Sequence, residues 1–380
     1  LSSNETRAEG KPELLMLFSA FESSYIYDAL IDMLSVNELA FKVIYIGPAH
    51  SKFLHRLKSK PQFETFHLEA HRIQIFRGTI ALLRFMKLKR NSSIVCFGQT
   101  ASVLGLFLGK LYGVKKRSYL RMHTSANRVE GTLRGTLYDL LCNTMSSEAL
   151  VPNENTKDYL RTIEKYRKKV TVINFGLPAP PSRTERRILE EKFRAELLIS
   201  KSQFLIGVVS RASKVKGLEY SLSAAVQILS ERDDCSLIIV GAGSRESFYL
   251  SDVLLNARKE QVVWIDYLSE MSQFYSTIDC LVHVPIDKDV ESFGLVYIEA
   301  FAYGIPCVIT LSGIAKEIAI PGLNCLTVSY KNSIEIYNAL KTLIQSKDLR
   351  SKIGLSAAKL DFSIEAMQEN YKGYFMKFQK

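Results

Sequence analysis

The sequence predicts an α/β protein built from two parallel-sheet units, and three observations predict it. Short β-type apolar runs alternate with helical segments along the whole chain, the pattern of parallel sheets covered on both faces. A Pro-rich break, Gly176-Leu-Pro-Ala-Pro-Pro-Ser-Arg183, separates those runs into two sets and leads into a charged helix. The length, 380 residues, suits two domains at ~100–200 residues each.

In chain order, the first set of strands is expected at Leu14–Phe18, Phe41–Ile46, Ser93–Phe97, Ser118–Met122, Ala149–Val151 and Val170–Ile173. The second set is expected at Phe204–Val209, Ser236–Val240, Val262–Ile265, Cys280–Val284, Cys307–Thr310 and Cys325–Val328. Each is a short run dominated by aliphatic and aromatic residues, as a strand buried on both faces requires. The domains then run 1–175 and 176–362, with a final helix over 363–380.

The composition, 47% hydrophobic and 23% charged, is that of a globular protein and excludes disordered and collagen-like chains. The longest membrane-like stretch, Ala101 to Val114, is broken by Gly105, Gly109 and Lys110 and falls short of the ~18 apolar residues a span needs. The opening Leu1–Arg7 lacks the charged-then-apolar pattern of a signal peptide, so a cytoplasmic location is expected. Cys96, Cys142, Cys235, Cys280, Cys307 and Cys325 form no CxxC pair and sit in or near apolar runs. They read as small core residues rather than a disulfide framework or a zinc site.

The net charge of +11 is unevenly placed. Residues 1–175 hold 26 Lys+Arg and 15 Asp+Glu, which accounts for all of it, while residues 176–380 hold 24 of each. So one-sided a field favours an anionic partner. The basic residues collect beside apolar ones, in Ser51-Lys-Phe-Leu-His-Arg-Leu-Lys-Ser-Lys60 and between Phe76 and Arg90, which suits an anionic lipid surface. The bland alternative is an amphipathic helix packed on its own sheet. No recognised nucleic-acid module accompanies the charge, so nucleic acid is not expected.

The most informative stretch is Glu291-Ser-Phe-Gly-Leu-Val-Tyr-Ile-Glu299-Ala-Phe-Ala-Tyr-Gly304-Ile-Pro306. It reads as a Gly-containing loop, a short helix from about Leu295, a Gly stop and a strand. Leu295, Ile298, Glu299 and Ala302 share one helical face, so Glu299 is expected on the buried side, needing either a structural partner or a ligand's hydroxyls. Free amides at the helix start favour phosphate.

These residues closely resemble the signature of the family 4 retaining glycosyltransferases of GT-B fold. Gly207-Val-Val-Ser-Arg211-Ala-Ser-Lys-Val-Lys216-Gly217 is similar to the family's G-R-x4-K-G segment, and Leu237-Ile-Ile-Val-Gly241-Ala-Gly243 to its L-x-I-V-G-x-G turn. Val262–Leu268 and Ser312–Glu317 followed by Pro321–Asn324 fall in family order. The resemblance implies two Rossmann-like domains facing an interdomain cleft, the first for acceptor and the second for a nucleotide-sugar donor, with the final helix crossing back to the first.

The same resemblance implies the roles. Glu299 would hold the nucleotide ribose and Glu291 the donor-sugar hydroxyls. The backbone of Gly294, Leu295 and Val296 would bind phosphate, and that of Tyr267 and Leu268 would face the base. Arg211 and Lys216 would stabilise charge on the departing diphosphate without a metal or cofactor. His123, at the carboxyl end of a predicted strand, would face donor sugar and acceptor; the other histidines, His283 among them, have no comparable context.

The implied reaction transfers a sugar, with retention, from a UDP- or GDP-sugar to a glycan or lipid-linked acceptor in cell-surface polysaccharide or glycolipid synthesis, at the inner face of the membrane. A soluble enzyme acting on small sugars or sugar phosphates, and a non-catalytic sugar-nucleotide-binding protein, are the alternatives. Asp287-Lys-Asp289 is formally a metal-diphosphate DxD but reads as a polar loop, and Glu246 spoils a GxGxxG fingerprint at Gly241. Three departures from the family pattern stand out: Ser19–Ser24 replaces a Gly-rich loop, and Asp266 and Cys325 occupy positions commonly glycine.

Overall fold

The structure is a computed structural model that describes residues 14–19, 25–36, 41–60, 63–68, 86, 92–125, 133–241 and 258–378. The basic run from Phe76 to Arg90 (apart from Met86), most of the Ser19–Ser24 segment, and Gly243 with Glu246 lie outside the described residues.

Two parallel sheets form the frame. The first has seven strands in the order β3-β2-β1-β4-β5-β6-β7: β1 Leu14–Ser19, β2 Phe41–Ile46, β3 Glu64–Leu68, β4 Ser93–Phe97, β5 Lys116–Leu120, β6 Glu148–Val151 and β7 Lys169–Val172. The second has six in the order β10-β9-β8-β11-β12-β13: β8 Phe204–Val209, β9 Cys235–Val240, β10 Val262–Ile265, β11 Cys280–His283, β12 Cys307–Ile309 and β13 Leu326–Thr327. In each sheet the order reverses beside its first strand, between β1 and β4 and between β8 and β11. Open α/β sheets place ligands at such a crevice.

The second-half strands fall where the apolar runs predict them. In the first half, β3 was not expected, because it is a sheet-edge strand of mixed sequence, Glu-Thr-Phe-His-Leu, with one exposed and three half-buried positions. Edge strands need no continuous apolar run. β5 ends at Leu120 rather than Met122 for a different reason. The Arg121 guanidinium is fully buried and donates to the carbonyls of His123 (2.8 Å) and Thr124 (3.2 Å), so these are taken up by a side chain rather than by a neighbouring strand. All six cysteines are buried and unpaired.

Helix α1 (Tyr25–Val36) and α2 (Lys52–Lys58) cover one face of the first sheet. In α2 the residues Phe53, Leu54 and Leu57 point into the core. Its cations are partly neutralised: Arg56 pairs with Asp28 and Asp32, and Lys60 lies 3.2 Å from Asp32. The segment expected to meet lipid through apolar residues therefore spends them on its own domain.

One apolar cluster runs from Phe18, Tyr27 and Phe97 of the first sheet through Phe175 and Leu177 to Phe293 and Tyr297. It continues to Tyr371 and Phe375 of the last helix in the chain, Ile364–Met376. This helix is started by Ser363, whose side chain accepts from the Ala366 amide. Leu177 exchanges backbone hydrogen bonds with Phe362 and Ile364 (2.7 and 3.0 Å). The approach is so close that a Cβ on Gly176 would lie 2.3 Å from the Ser363 carbonyl oxygen. Further along, Gln368 donates to the Ala29 carbonyl (2.7 Å) and Tyr374 to the Ser118 hydroxyl (2.8 Å), so the chain end lies on the first sheet's side.

Candidate active site

A cavity of about 470 Å³ opens at the crevice between β8 and β11. Its walls include Arg211, Lys216, Tyr267, Leu268, Glu291, Gly294, Leu295 and Val296 from the second half, and Met122 and Phe175 from the first. The structure thus brings eight sequence-predicted residues to one space. His123 and Glu299 are not among the residues lining it.

The strand-to-loop exits explain the placement. Gly217 follows the 3₁₀ turn Lys214–Lys216 with φ +67°, and a Cβ there would meet the Val284 carbonyl oxygen at 2.1 Å. Glycine lets the turn dock on the exit of β11, which carries Lys216 to Glu291. Gly294 takes φ +89° at the start of the helix Leu295–Ala302, and a Cβ would overlap the Tyr297 ring at 2.4 Å. No side chain caps this helix; the Tyr297 amide donates to the Gly294 carbonyl (3.0 Å), and those of Leu295 and Val296 are left for another acceptor.

Glu291 is the most strongly determined group. Its Oε2 accepts from Lys216 Nζ at 2.7 Å and lies 3.1 Å from His283 Nε2, while its amide donates to Ser312 Oγ (3.1 Å). Burial pushes the carboxyl upward, but Lys216 and His283 outweigh it and hold it down at about 2. Glu291 is therefore a permanent anion with a cation already beside it. Arg211 is exposed at the cavity wall, and its guanidinium has no hydrogen bond or ion pair among the described residues.

Glu299 sits in the opposite environment. The most buried residues of its helix are Tyr297, Ile298, Ala300 and Phe301, so Glu299 lies on a half-buried edge rather than on the fully buried face the periodicity predicts. Among the described residues its partners are neither cations nor backbone amides. Tyr275 donates to one oxygen at 2.6 Å and Tyr25, from the first half, reaches the other at 3.5 Å. Burial raises this carboxyl, and the two tyrosines only partly offset it.

His123 is anchored away from the cavity lining. Its Nε2 lies 2.8 Å from Asp139 Oδ1, the same oxygen that takes a 2.5 Å hydrogen bond from Arg121, which also binds Glu164 at 2.7 Å. The Asp287–Asp289 loop turns its main chain toward the first half, and neither carboxylate lines the cavity. Among the described residues no three His, Cys, Asp or Glu side chains are grouped to hold a metal.

Sequence reasoning passed over His283. It is buried, and its ring stands edge-on to Tyr297 at 4.9 Å. The usable signal was its position at the carboxyl end of a central strand, the criterion already applied to His123. Tyr25, Tyr275 and Asp139 carried no such signal, since each acts on a residue remote in the chain.

Residues 190–360 match the family model described as glycosyl transferases group 1. Over 220 residues the chain is 28% identical to the capsular polysaccharide biosynthesis glycosyltransferase CapM of Staphylococcus aureus, covering 56% of each. The chain thus spans about half the length of the curated relatives it matches. Among solved structures, Anabaena Alr3699/HepE in complex with UDP-glucose superposes with a TM-score of 0.75 at 18% identity, over 96% of this chain and 99% of that one. WaaG, a glycosyltransferase involved in lipopolysaccharide biosynthesis, gives 0.64 at 13%, over 94% and 98%. The two-sheet architecture is the GT-B fold of these structures.

Proposed function

We propose that this chain, whose carboxy-terminal half belongs to the group 1 glycosyl transferases of family 4, transfers a sugar with retention from a nucleoside-diphosphate sugar. The observation that carries the reading is the convergence of Arg211, Lys216, Glu291 and an uncapped helix start on one cavity at the β8/β11 crevice. An exposed guanidinium, an ammonium and free amides suit a diphosphate, and a permanent carboxylate suits sugar hydroxyls. HepE, which shares the fold, was crystallised with UDP-glucose, which favours a UDP-sugar here, with GDP as the alternative base.

In this mechanism the anomeric carbon–oxygen bond to the diphosphate breaks with its electron pair going to the leaving oxygen. Arg211 and Lys216 neutralise that charge, so no metal is required for this step. The acceptor hydroxyl attacks on the same face and passes its proton to the departing phosphate. Lys216 acts while bound to Glu291, which places sugar recognition and charge stabilisation on one ion pair. Glu299 holds the ribose, its carboxylate exchanging a tyrosine hydroxyl for a ribose hydroxyl, and His123 faces the acceptor side.

The acceptor is a glycan or lipid-linked glycan, in keeping with capsular and lipopolysaccharide synthesis by CapM and WaaG. An anionic membrane surface is the partner the +11 charge of the first half suits. The helices Gln99–Leu111 and Leu133–Met145 support it better than α2. They expose Phe107, Leu111, Leu137 and Leu140 with Lys110 and Arg134, and their one acidic residue, Asp139, is buried. Among the described residues no helix is long and apolar enough to cross a membrane.

The test is thermal stabilisation by a panel of UDP-, GDP- and ADP-sugars. A ligand present at a hundred times its Kd raises the melting temperature by about 5 °C. A flat response across the panel would overturn the donor reading.

A further inference from the structure

The loop that carries Glu291 is gripped from across the cleft through its main chain. Ser125 donates to the Asp289 carbonyl from both its amide (3.0 Å) and its hydroxyl (2.7 Å). Asn155 Nδ2 donates to the Lys288 carbonyl at 3.2 Å, and Thr124 Oγ1 to that of Glu291 at 3.4 Å. The Ser292 carbonyl accepts from Asn153 Nδ2 at 2.5 Å and from Thr156 Oγ1 at 3.4 Å. Four of the five carbonyls from Lys288 to Ser292 therefore accept from first-half residues, all of which are buried.

The donors are themselves held. Asn153 caps the helix Glu154–Thr162: its Oδ1 accepts from the Thr156 amide at 2.8 Å, which leaves its Nδ2 aimed at Ser292. The Asn155 amide donates to Glu317 Oε1 at 3.2 Å, and its Oδ1 accepts from Lys316. A buried, fully committed hydrogen-bond set of this kind specifies one geometry. Because the grip is on the main chain, the Glu291 carboxylate is left to meet Lys216 and His283.

We propose that Asn153, supported by Ser125 and Asn155, is a positioning residue: the first domain sets where Glu291 stands against the donor sugar by holding the carbonyls of its loop. This rests on the reading of Glu291 as a ligand of the donor sugar. It makes donor recognition depend on the domain that does not bind the nucleotide.

Asn153→Asp is the decisive variant. It keeps the oxygen that caps the helix and replaces the donor facing Ser292 with a second acceptor. Asn153→Ser, which keeps a capping oxygen and lacks the amide, is the milder control. Two quantities are measured on the full chain: the radius of gyration by small-angle scattering, and affinities by calorimetry. The affinity probes are UDP-glucose, GDP-mannose or ADP-glucose, whichever stabilises the parent most, against the matching nucleoside diphosphate.

The Asp variant should lose about tenfold more in nucleotide-sugar affinity than in nucleoside-diphosphate affinity, since the sugar meets Glu291 itself and the diphosphate meets its partner Lys216. The Ser variant should lose less. An unchanged ratio of the two affinities in the Asp variant overturns the proposal, whatever the scattering shows. If the parent binds no nucleotide sugar, the donor reading fails by itself. The grip is then judged by scattering alone: an expanded Asp variant supports it and an unchanged radius overturns it.

Discussion

Glu291 and Glu299 stand eight residues apart in one motif, yet the fold gives them opposite environments. Glu291 is met by an ammonium and an imidazole, which overcome burial and keep it ionised down to about pH 2. Glu299 is met by two tyrosine hydroxyls, which do not overcome burial, and its carboxyl is raised. A hydroxyl donates one hydrogen bond and no net charge, so it offsets less of the desolvation of a carboxylate than a lysine does. The same side chain is thus a fixed anion at one end of the motif and a titratable acceptor at the other.

The largest break in this contrast should come from Lys216→Met, which leaves Glu291 buried without its cation. A loss of about 3 kcal/mol in urea unfolding at pH 7 is expected. Adding Glu291→Gln should recover most of it, whereas simple additivity of the two losses would show that the pair is not coupled.

Acid titration should separate the two glutamates by sign. Glu291, with its folded pKa depressed, contributes stability that is complete above its unfolded value of about 4.3 and disappears as pH falls toward 2. The shift amounts to about 3 kcal/mol. Glu299, with its folded pKa raised, contributes in reverse: its share is complete below the unfolded value and is lost as pH rises through the folded one. At pH 7, Glu291→Gln should therefore destabilise and Glu299→Gln should be neutral or stabilising. Both differences should shrink in acid, and a common sign at pH 7 would refute the assignment.

Two smaller changes sharpen the comparison at Glu299. Tyr275→Phe removes the 2.6 Å hydrogen bond and should cost about 1.5 kcal/mol while raising the Glu299 carboxyl further, read by carbon NMR of labelled glutamate. Tyr25→Phe, removing a contact of 3.5 Å, should cost under about 0.5 kcal/mol. A Tyr25 effect equal to that of Tyr275 would mean that the first half holds Glu299 as firmly as its own domain does.

Much of this fold is legible from short-range pattern. The central strands β8, β9, β11 and β12 coincide with apolar runs because a central parallel strand is buried on both faces and tolerates little else. The edge strand Glu64–Leu68 escaped because an edge carries no such demand. In the site, Gly217 and Gly294 mark turns whose positive φ and close contacts no other residue suits, so a local motif announces them. His283 was readable only by its strand-end position, and the apolar residues of α2 served the core where a membrane surface was an equal reading.

By itself, then, the sequence determined two parallel α/β units and the loop and helix that present Glu291 and Glu299. Such features follow from periodicity and backbone sterics, which act over a few residues. Only the tertiary structure decided the partners of the buried charges. Lys216 reaches Glu291 across 75 positions and Tyr25 reaches Glu299 across 274. Arg121 gathers Asp139 and Glu164, and Asn153 reaches Ser292. Desolvation makes each buried polar group require a partner, but it does not specify which one. That choice belongs to the packing of elements distant in the chain, and with it the ionisation of both glutamates.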